Sequence, residues 1–198
     1  MDPPPIYHNT QKFIETASGN KVSKLSTLAG SQNIILNGKT VVMEGCVLRG
    51  DLGSLKVGKN TVIRENAILR PPFKRFAKGV AFFPLYIGEH VYIGENSIIN
   101  CAHVGSYVHI GKDCVLQRLS MLKDCCAVLD GTVLAPDTVV PPFAVFAGNP
   151  GRQVGELPEI TQELMIDYTW AFYRNLLPLS KKPIEPSSSE SQSDETSK

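Results

Sequence analysis

Residues 86–116 read YIGEHVYIGENSIINCAHVGSYVHIGKDCVL, and large aliphatic side chains recur along them at a nearly constant step. The step is six residues, apart from one step of five between Ile99 and Val104. The recurring residues are Ile87, Ile93, Ile99, Val104, Ile110 and Leu116. A period of six would scatter them around a helix, whose period is about 3.6 residues. The pattern therefore predicts short strands joined by tight turns, with each strand stacked on its counterpart one coil later.

The same repeat extends in both directions from this stretch. A small residue stands two positions before most of the aliphatic residues, as Ser97 and Cys114 do, which suits a narrow interior. Glycine follows several of them, as in Val57-Gly58, and we expect it to relieve the corners by adopting positive φ. The further residues expected to point inward are Ile35, Val41, Val47, Ile63, Leu69, Leu122, Val128, Leu134, Val140 and Phe146.

Interruptions of the repeat predict the organisation of the chain. Residues 1–30 are expected to cap the open edge of the first coil. Residues 31–151 are expected to form the β-helix, with a loop inserted at 70–86. Residues 156–178 are predicted to form a C-terminal helix, and the Ser-rich segment 180–198 a disordered tail. The helix is predicted to have an apolar face of Leu164, Tyr168, Phe172 and Leu176. We expect this face to pack along a wall of the β-helix, and binding of a partner is the alternative.

The inserted loop combines four basic residues with four of the eight phenylalanines in the chain. Two interpretations remain open for Phe73, Phe76, Phe82 and Phe83. They fold back on the β-helix as a satellite cluster, or they form an exposed apolar and basic surface. The second interpretation makes them the candidate partner-binding residues.

Charge and composition exclude several function classes. Twenty Lys and Arg balance nineteen Asp and Glu, so no basic excess favours nucleic acid. No apolar run approaches the roughly 20 residues of a membrane helix, so we expect no membrane insertion. Five cysteines, an odd number without an export signal, predict free thiols in the cytosol. The sequence predicts no cofactor.

The six-residue repeat resembles the hexapeptide-repeat family. The resemblance implies an all-β protein built as a left-handed parallel β-helix, whose handedness the spacing alone does not determine. We expect about six coils, spanning roughly 29 Å at about 4.8 Å per coil. One loop is extruded, and the C-terminal α-helix packs on the β-helix.

Val47-Leu48-Arg49-Gly50-Asp51, followed by Val57-Gly58, resembles the gamma-class carbonic anhydrase branch of that family. That branch binds zinc through three histidines, and the repeat register carries their positions to Arg70, Glu95 and Asn100. Arginine has no lone pair for a cation, so we expect no metal and no catalytic residue. Arg70 or Arg64 is expected to pair with Glu95 instead.

An enzymatic alternative stays open beside this interpretation. A degenerate carbonic anhydrase-like protein would regain turnover with zinc. A hexapeptide-repeat acyltransferase would need a catalytic histidine, for which His103 or His109 is available. His90, His103 and His109 do not match ligand spacing, and most of them are expected at the surface.

Longer blocks are similar to the dynactin subunit 5 family. The blocks that carry this similarity are Glu15–Val22, Gly30–Ile34, Arg70–Lys74, Lys78–Pro84, Leu122–Cys126 and Gly155–Glu159. The resemblance implies a non-enzymatic scaffold subunit of the dynactin pointed-end complex, which supports dynein-based transport along microtubules. Its implied partners are dynactin subunit 6 as a second β-helix, other pointed-end subunits including the actin-related protein, and dynein cargo adaptors. It also implies a cytoplasmic, cytoskeleton-associated location, with kinetochores or centrosomes reached through dynactin.

Overall fold

The computed structural model describes residues 5–178. The first residues of the chain and the predicted tail 180–198 lie outside this range. Within it, short strands stack into three parallel walls, which confirms the predicted β-helix of about six coils. The walls are numbered in the order in which the first coil visits them.

The first wall contains seven parallel strands and one antiparallel strand at each end. Its strands are Phe13–Glu15, Lys21–Ser23, Val41–Val42, Val62–Ile63, Tyr92–Ile93, His109–Ile110, Ala127–Val128, Ala144–Ala147 and Arg152–Glu156. The second wall has six strands: Thr27–Ala29, Val47–Arg49, Ile68–Leu69, Ile98–Ile99, Val115–Leu116 and Val133–Leu134. The third wall also has six: Ile34–Leu36, Leu55–Val57, Leu85–Ile87, His103–Val104, Met121–Leu122 and Val139–Val140.

The predicted core is confirmed from residue 57 onward and is displaced by one residue before it. Ile63, Ile93 and Leu116 are fully buried in the main core, as are most of their counterparts. In the upstream coils the inward residues are Leu36, Val42 and Leu48, so the predicted Ile35, Val41 and Val47 face outward. Side chains alternate along a strand, and a register error of one residue therefore moves every side chain to the opposite face.

The glycines that follow the inward aliphatics serve close packing between coils, and the prediction of positive φ for them was wrong. A Cβ on Gly58 or Gly94 would lie under 3.0 Å from the backbone of the next coil. The left-handed conformation falls two residues later, as at Asn60 and Asn96. Asparagine tolerates this conformation better than most residues, which explains its place at the corners.

The N-terminal segment does more than cap the β-helix. Lys21–Ser23 and Thr27–Ala29 are already wall strands, so the first coil begins before residue 31. The capping role falls to Phe13–Glu15, which pairs antiparallel with Lys21–Ser23 and covers the edge of the first wall. Ile6–His8 pairs with Leu176–Pro178, and short 3-10 helices occupy Thr10–Lys12 and Ser31–Asn33.

Helix α1 spans Thr161–Asn175 and packs on the outer face of the first wall. It is shorter than the predicted 156–178 segment, because Arg152–Glu156 forms a strand and residues 176–178 are extended. Its buried residues are Thr161, Met165, Thr169, Ala171 and Phe172, and Leu176, directly after the helix, is buried as well. Of the predicted face, Tyr168, Phe172 and Leu176 pack against the first wall, whereas Leu164 is 53% exposed and was predicted wrongly. No described helix is long and apolar enough to cross a membrane.

The inserted loop folds as a β-hairpin of Phe73–Phe76 and Gly79–Phe82. It leaves the corner between the second and third walls, and the chain returns at the third-wall strand Leu85–Ile87. The insertion is therefore shorter than the predicted 70–86.

Candidate functional site

The three positions predicted to correspond to zinc ligands do not form one site within residues 5–178. Arg70 and Asn100 follow second-wall strands on neighbouring coils, at the corner that leads to the third wall. Glu95 lies at the preceding corner, between the first and second walls. Among residues 5–178, Asn100 Oδ1 is buried and has no hydrogen-bond partner. Residues 5–178 contain no cluster of three His, Cys, Asp or Glu that could hold a metal, and the donor set does not fit zinc.

Glu95 is instead paired with a cation, as predicted, and the cation is Arg64. Arg64 Nη2 lies 2.5 Å from Glu95 Oε1, and Nε donates to Glu65 Oε2 at 2.7 Å. Nη1 donates to the Tyr92 hydroxyl at 2.7 Å. The guanidinium also lies 5.4 Å from the ring centre of Phe172 on helix α1. We call Arg64, Glu65, Tyr92 and Glu95 the Arg64 cluster.

The surroundings of the Arg64 cluster keep its arginine charged. Burial lowers the pKa of Arg64, but the hydrogen bond to Glu65 and the interactions with Tyr92 outweigh it, so the net shift is upward. Burial raises the pKa of Tyr92, against the opposing effect of Arg64. The cluster therefore presents a neutral phenol and a fixed cation, to which both carboxylates are paired. The sequence did not reveal Tyr92 and Glu65 as partners of Arg64.

The hairpin exposes part of its aromatic surface. Phe76 and Phe82 are 51% and 40% exposed, and neither joins a described core cluster. Phe73 and Phe82 are cross-strand partners with ring centres 5.9 Å apart. Side chains alternate along each strand, so Phe76 faces the opposite side of the hairpin. Phe83 follows the hairpin and is half-buried.

Cations surround the aromatic side chains of the hairpin. The guanidinium groups of Arg70 and Arg118 each lie 5.8 Å from the ring centre of Phe73. Lys74 Nζ lies 6.0 Å from the ring centre of Phe76. We call Phe73, Phe76, Phe82, Phe83 and the basic residues around them the hairpin surface. Arg118 lies on a later coil than Arg70 but at the same corner of the β-helix, and it therefore reaches Phe73. The sequence did not link Arg118 to the loop.

Of the three histidines within the repeats, His109 lies in the first wall, His103 in the third wall, and His90 in the turn before Tyr92–Ile93. His90 is buried beneath helix α1, whereas His103 and His109 are partly exposed, and His90 Nδ1 lies 2.8 Å from Thr169 Oγ1. His109 stacks on Tyr92 with ring centres 5.1 Å apart. Burial lowers the pKa of both imidazoles. His103 lies on the third wall, so the two candidates for acyl transfer are not brought together.

A groove of about 790 Å³ runs beside helix α1. His109, Tyr168 and Leu164 line it, together with Asp167 and Arg174.

The five cysteines are free and buried, and burial raises the pKa of Cys126 to about 12. Cys126 therefore stays a thiol at neutral pH and is a poor nucleophile.

Comparison with known proteins identifies the relatives of this chain. The sequence model of the family described as "Dynactin subunit 5" matches residues 1–182. "Dynactin subunit 5" of Dictyostelium discoideum is 43% identical over 178 residues, which cover 90% of each chain. "Gamma carbonic anhydrase 1, mitochondrial" of Arabidopsis thaliana is 29% identical over 58% of this chain and 41% of its own length.

A solved structure agrees at the level of the fold. A hexapeptide transferase family protein from Anaplasma phagocytophilum superposes with a TM-score of 0.58 at 21% identity. The match covers 80% of this chain and 93% of that protein.

Proposed function

Because the chain belongs to the dynactin subunit 5 family, we propose that it is a non-catalytic scaffold subunit of the dynactin pointed-end complex. In this role it supports dynein-based transport by assembling with dynactin subunit 6, a second β-helical subunit. It also contacts other pointed-end subunits, including the actin-related protein, and helps to engage cargo adaptors. We place it in the cytoplasm on the cytoskeleton, and at kinetochores or centrosomes through dynactin.

The observation that carries this proposal is the 43% identity to a dynactin subunit over 90% of both chains. The Arg64 cluster supports the non-catalytic part. The carbonic anhydrase relative covers only 58% of this chain, and Glu95, which the repeat register predicts to stand at a zinc-ligand position, is already paired with Arg64. A zinc ion at this corner would meet the charge of a guanidinium, which repels it.

Fractionation of native assemblies tests the scaffold role. The chain, tagged in the cells that produce it, is captured from cytosol, and the eluate is separated by size. We expect it to sediment with a large assembly that contains dynein-activating subunits, and to carry far less than one zinc ion per chain. Recovery of only a small homotrimer, or near-stoichiometric zinc with carbon dioxide hydration, would support the enzymatic alternative.

The hairpin surface is our candidate for a contact with one of these partners. Exposed aromatic residues beside cations combine apolar area with charge, a combination common in interface anchors. The double substitution Phe82→Ser and Phe83→Ser should weaken capture of the pointed-end assembly while the thermal midpoint stays near that of the unaltered chain.

The matched control for this experiment is Ile35→Ser, which removes an exposed aliphatic side chain from the third wall. It should retain the assembly. If the double variant unfolds, or if it captures the assembly as well as the control does, the phenylalanines serve packing of the loop and the hairpin surface is not an interface.

A further inference from the structure

The outer end of the hairpin is exposed on both of its faces. Residues 74–81 are all exposed, and the two strands of the hairpin form a sheet of their own. Phe76 is 51% exposed and Val80 49%. We call residues 74–81 the hairpin tip. It is the outer part of the hairpin surface, whereas Phe82 and Phe83, whose substitution should weaken capture of the pointed-end assembly, lie at the base.

Each face of the hairpin tip combines an apolar side chain with a cation. Arg75 and Val80 are cross-strand partners and share one face. Phe76 lies on the opposite face together with Lys74, whose Nζ is 6.0 Å from the centre of the Phe76 ring. Lys78 lies in the turn between the strands. The hairpin tip is therefore apolar and basic on both faces, and a flat protein surface could cover only one of them.

The cations of the hairpin tip have no carboxylate partner within residues 5–178. In that part of the chain the arginines that form ion pairs are Arg49 and Arg64, which lie outside the hairpin. The sequence has no Asp or Glu between Glu65 and Glu89. Because the net charge of the whole chain is only +1, the hairpin tip is a local concentration of positive charge. It attracts an anionic surface over about 8 Å, the Debye length in physiological salt.

We propose that the hairpin tip binds the surface of an anionic phospholipid bilayer. The side chains of Phe76 and Val80 lie at the boundary between headgroups and acyl chains, and the cations beside them contact lipid phosphates. Lipids surround a protruding hairpin, so both faces of the tip meet the same surroundings. This inference goes beyond the proposed function, in which the partners are proteins.

The backbone of the hairpin limits the depth of this contact. In a two-stranded sheet each strand has one unpaired edge, whose amides and carbonyls need water or headgroup partners. Open sheet edges do not occur in the hydrocarbon region. The apolar side chains therefore reach about 5–10 Å into the boundary region, as those of interfacial segments do. Such a contact needs no membrane-spanning helix, so it agrees with a sequence that has no apolar run of that length.

Vesicle binding of the purified full chain tests this inference. The probe is vesicles of phosphatidylcholine mixed with phosphatidylserine, and vesicles of phosphatidylcholine alone serve as the uncharged comparison. We expect binding to the anionic vesicles, and it should weaken as salt is added. Phe76→Ser should weaken this binding about tenfold because it removes buried apolar area. Lys78→Gln should weaken it about fivefold because it removes one cation near the anionic surface.

The matched controls remove similar side chains from other parts of the surface. Val139→Ser replaces an apolar residue on the third wall that is 52% exposed. Lys112→Gln removes an exposed cation from the corner between the first and second walls. Both variants should bind the anionic vesicles as the unaltered chain does. Thermal melts check that every variant is folded.

Tryptophan fluorescence distinguishes contact on both faces from contact on one. The chain has a single tryptophan, Trp170 on helix α1, which supplies the background signal. Phe76→Trp and Val80→Trp each place a reporter on one face of the hairpin tip. The emission of both reporters should shift to the blue when anionic vesicles are added. A shift of one reporter alone would mean that the tip lies flat on the surface, and it would overturn the proposed contact.

The outcomes separate this inference from the proposed function. If the unaltered chain does not bind anionic vesicles, binds both kinds of vesicle equally, or binds as tightly after Phe76→Ser and Lys78→Gln, the inference fails although the scaffold role stands. If the tip binds vesicles but the chain is not recovered with a large assembly, the proposed function fails and the inference stands. Loss of assembly capture in Phe76→Ser, without an effect on vesicle binding, would assign the hairpin tip to a protein partner and overturn the inference.

Discussion

At the first corner one guanidinium links two coils and the C-terminal helix. Arg64 contacts Glu65 on its own coil, Glu95 and Tyr92 on the next, and the ring of Phe172 on helix α1. Its planar fork can hold several acceptors in one geometry, which a lysine ammonium cannot match. The residue thus ties together two neighbouring coils and helix α1.

Replacing this arginine should destabilise the protein. Arg64→Gln leaves Glu65 and Glu95 close together without a cation, and we expect a loss of about 1–3 kcal/mol in the free energy of unfolding. Arg64→Lys should retain part of the stability because the charge remains. Urea unfolding measures both. An unchanged midpoint in Arg64→Gln would show that the cluster contributes nothing net.

A second prediction at this scale concerns His90. Thr169 Oγ1 donates to the Met165 carbonyl, so His90 Nδ1 donates to Thr169, and Nε2 accepts from Asn60 Nδ2. This arrangement uses the neutral imidazole, and burial lowers its pKa below 6.5. The unfolded chain therefore binds more protons below about pH 6.5, and stability should fall as the pH decreases through that value.

His90→Asn tests this pH dependence, because asparagine suits the left-handed backbone at this corner. Unfolding free energies measured between pH 5 and 7.5 should vary less with pH in the variant than in the unaltered chain. His109, whose pKa is lowered in the same direction, should leave a residual slope. Equal slopes in both proteins would mean that His90 does not control this dependence.

At the scale of elements, the buried stripe of helix α1 determines how it binds the first wall. Phe172 and Met165 lie in the cluster that contains Val41 and Val62. Phe172→Ala should cost about 3–5 kcal/mol of unfolding free energy by leaving a cavity. The exposed Leu164→Ala should change it by less than about 0.5 kcal/mol. Thermal melts of the two variants compare the two faces of the helix directly, and a larger loss in Leu164→Ala would mean that Leu164, and not Phe172, anchors the helix.

The strands show how far the sequence predicts an element. From residue 57 onward the repeat identifies the inward residue even where both strand residues are aliphatic, as in Val62-Ile63. Before it, in Val41-Val42 and Val47-Leu48, composition again does not distinguish inward from outward, and the phase of the later coils does not carry over, because Leu48 and Val57 are not separated by a multiple of six residues. Val41 faces outward and is nevertheless apolar, because helix α1 covers it. This is a tertiary contact, which the pattern within the strand does not indicate. Tertiary contacts also explain why the sequence did not predict the buried residues of the helix correctly. Thr161 and Thr169 are buried polar residues, which a hydrophobic pattern omits.

The candidate site was predicted in part for similar reasons. The repeat register placed Glu95 near an arginine, and the structure identifies Arg64 as its partner. Tyr92 lies on the next coil, where the period could have placed it beside Arg64, whereas Phe172 comes from helix α1. Contacts between coils follow from the period, but contacts with an added helix depend on a docking angle that the period does not encode.

At the scale of the whole molecule, helix α1 connects the two ends of the β-helix. Its N-terminal end follows Leu157, whose amide donates to Phe143 O in the last coil. At its other end Lys21 Nζ of the first coil donates to the carbonyls of Tyr173 and Leu176. Solenoid proteins otherwise link each coil mainly to its neighbours. The helix therefore adds a long-range tie that couples the stability of the terminal coils.

A chain ending at Glu156 isolates the effect of this tie. It should retain its β-sheet circular dichroism, because the main core contains no residue of helix α1. It should bind a hydrophobic dye, since Val41, Val62 and Tyr92 would become exposed. Amide hydrogen exchange should accelerate most in the first coil, where Lys21 loses both carbonyl partners and Ile6–His8 loses its paired strand. Uniform acceleration in every coil would mean instead that the β-helix unfolds as one unit and that the helix stabilises it globally.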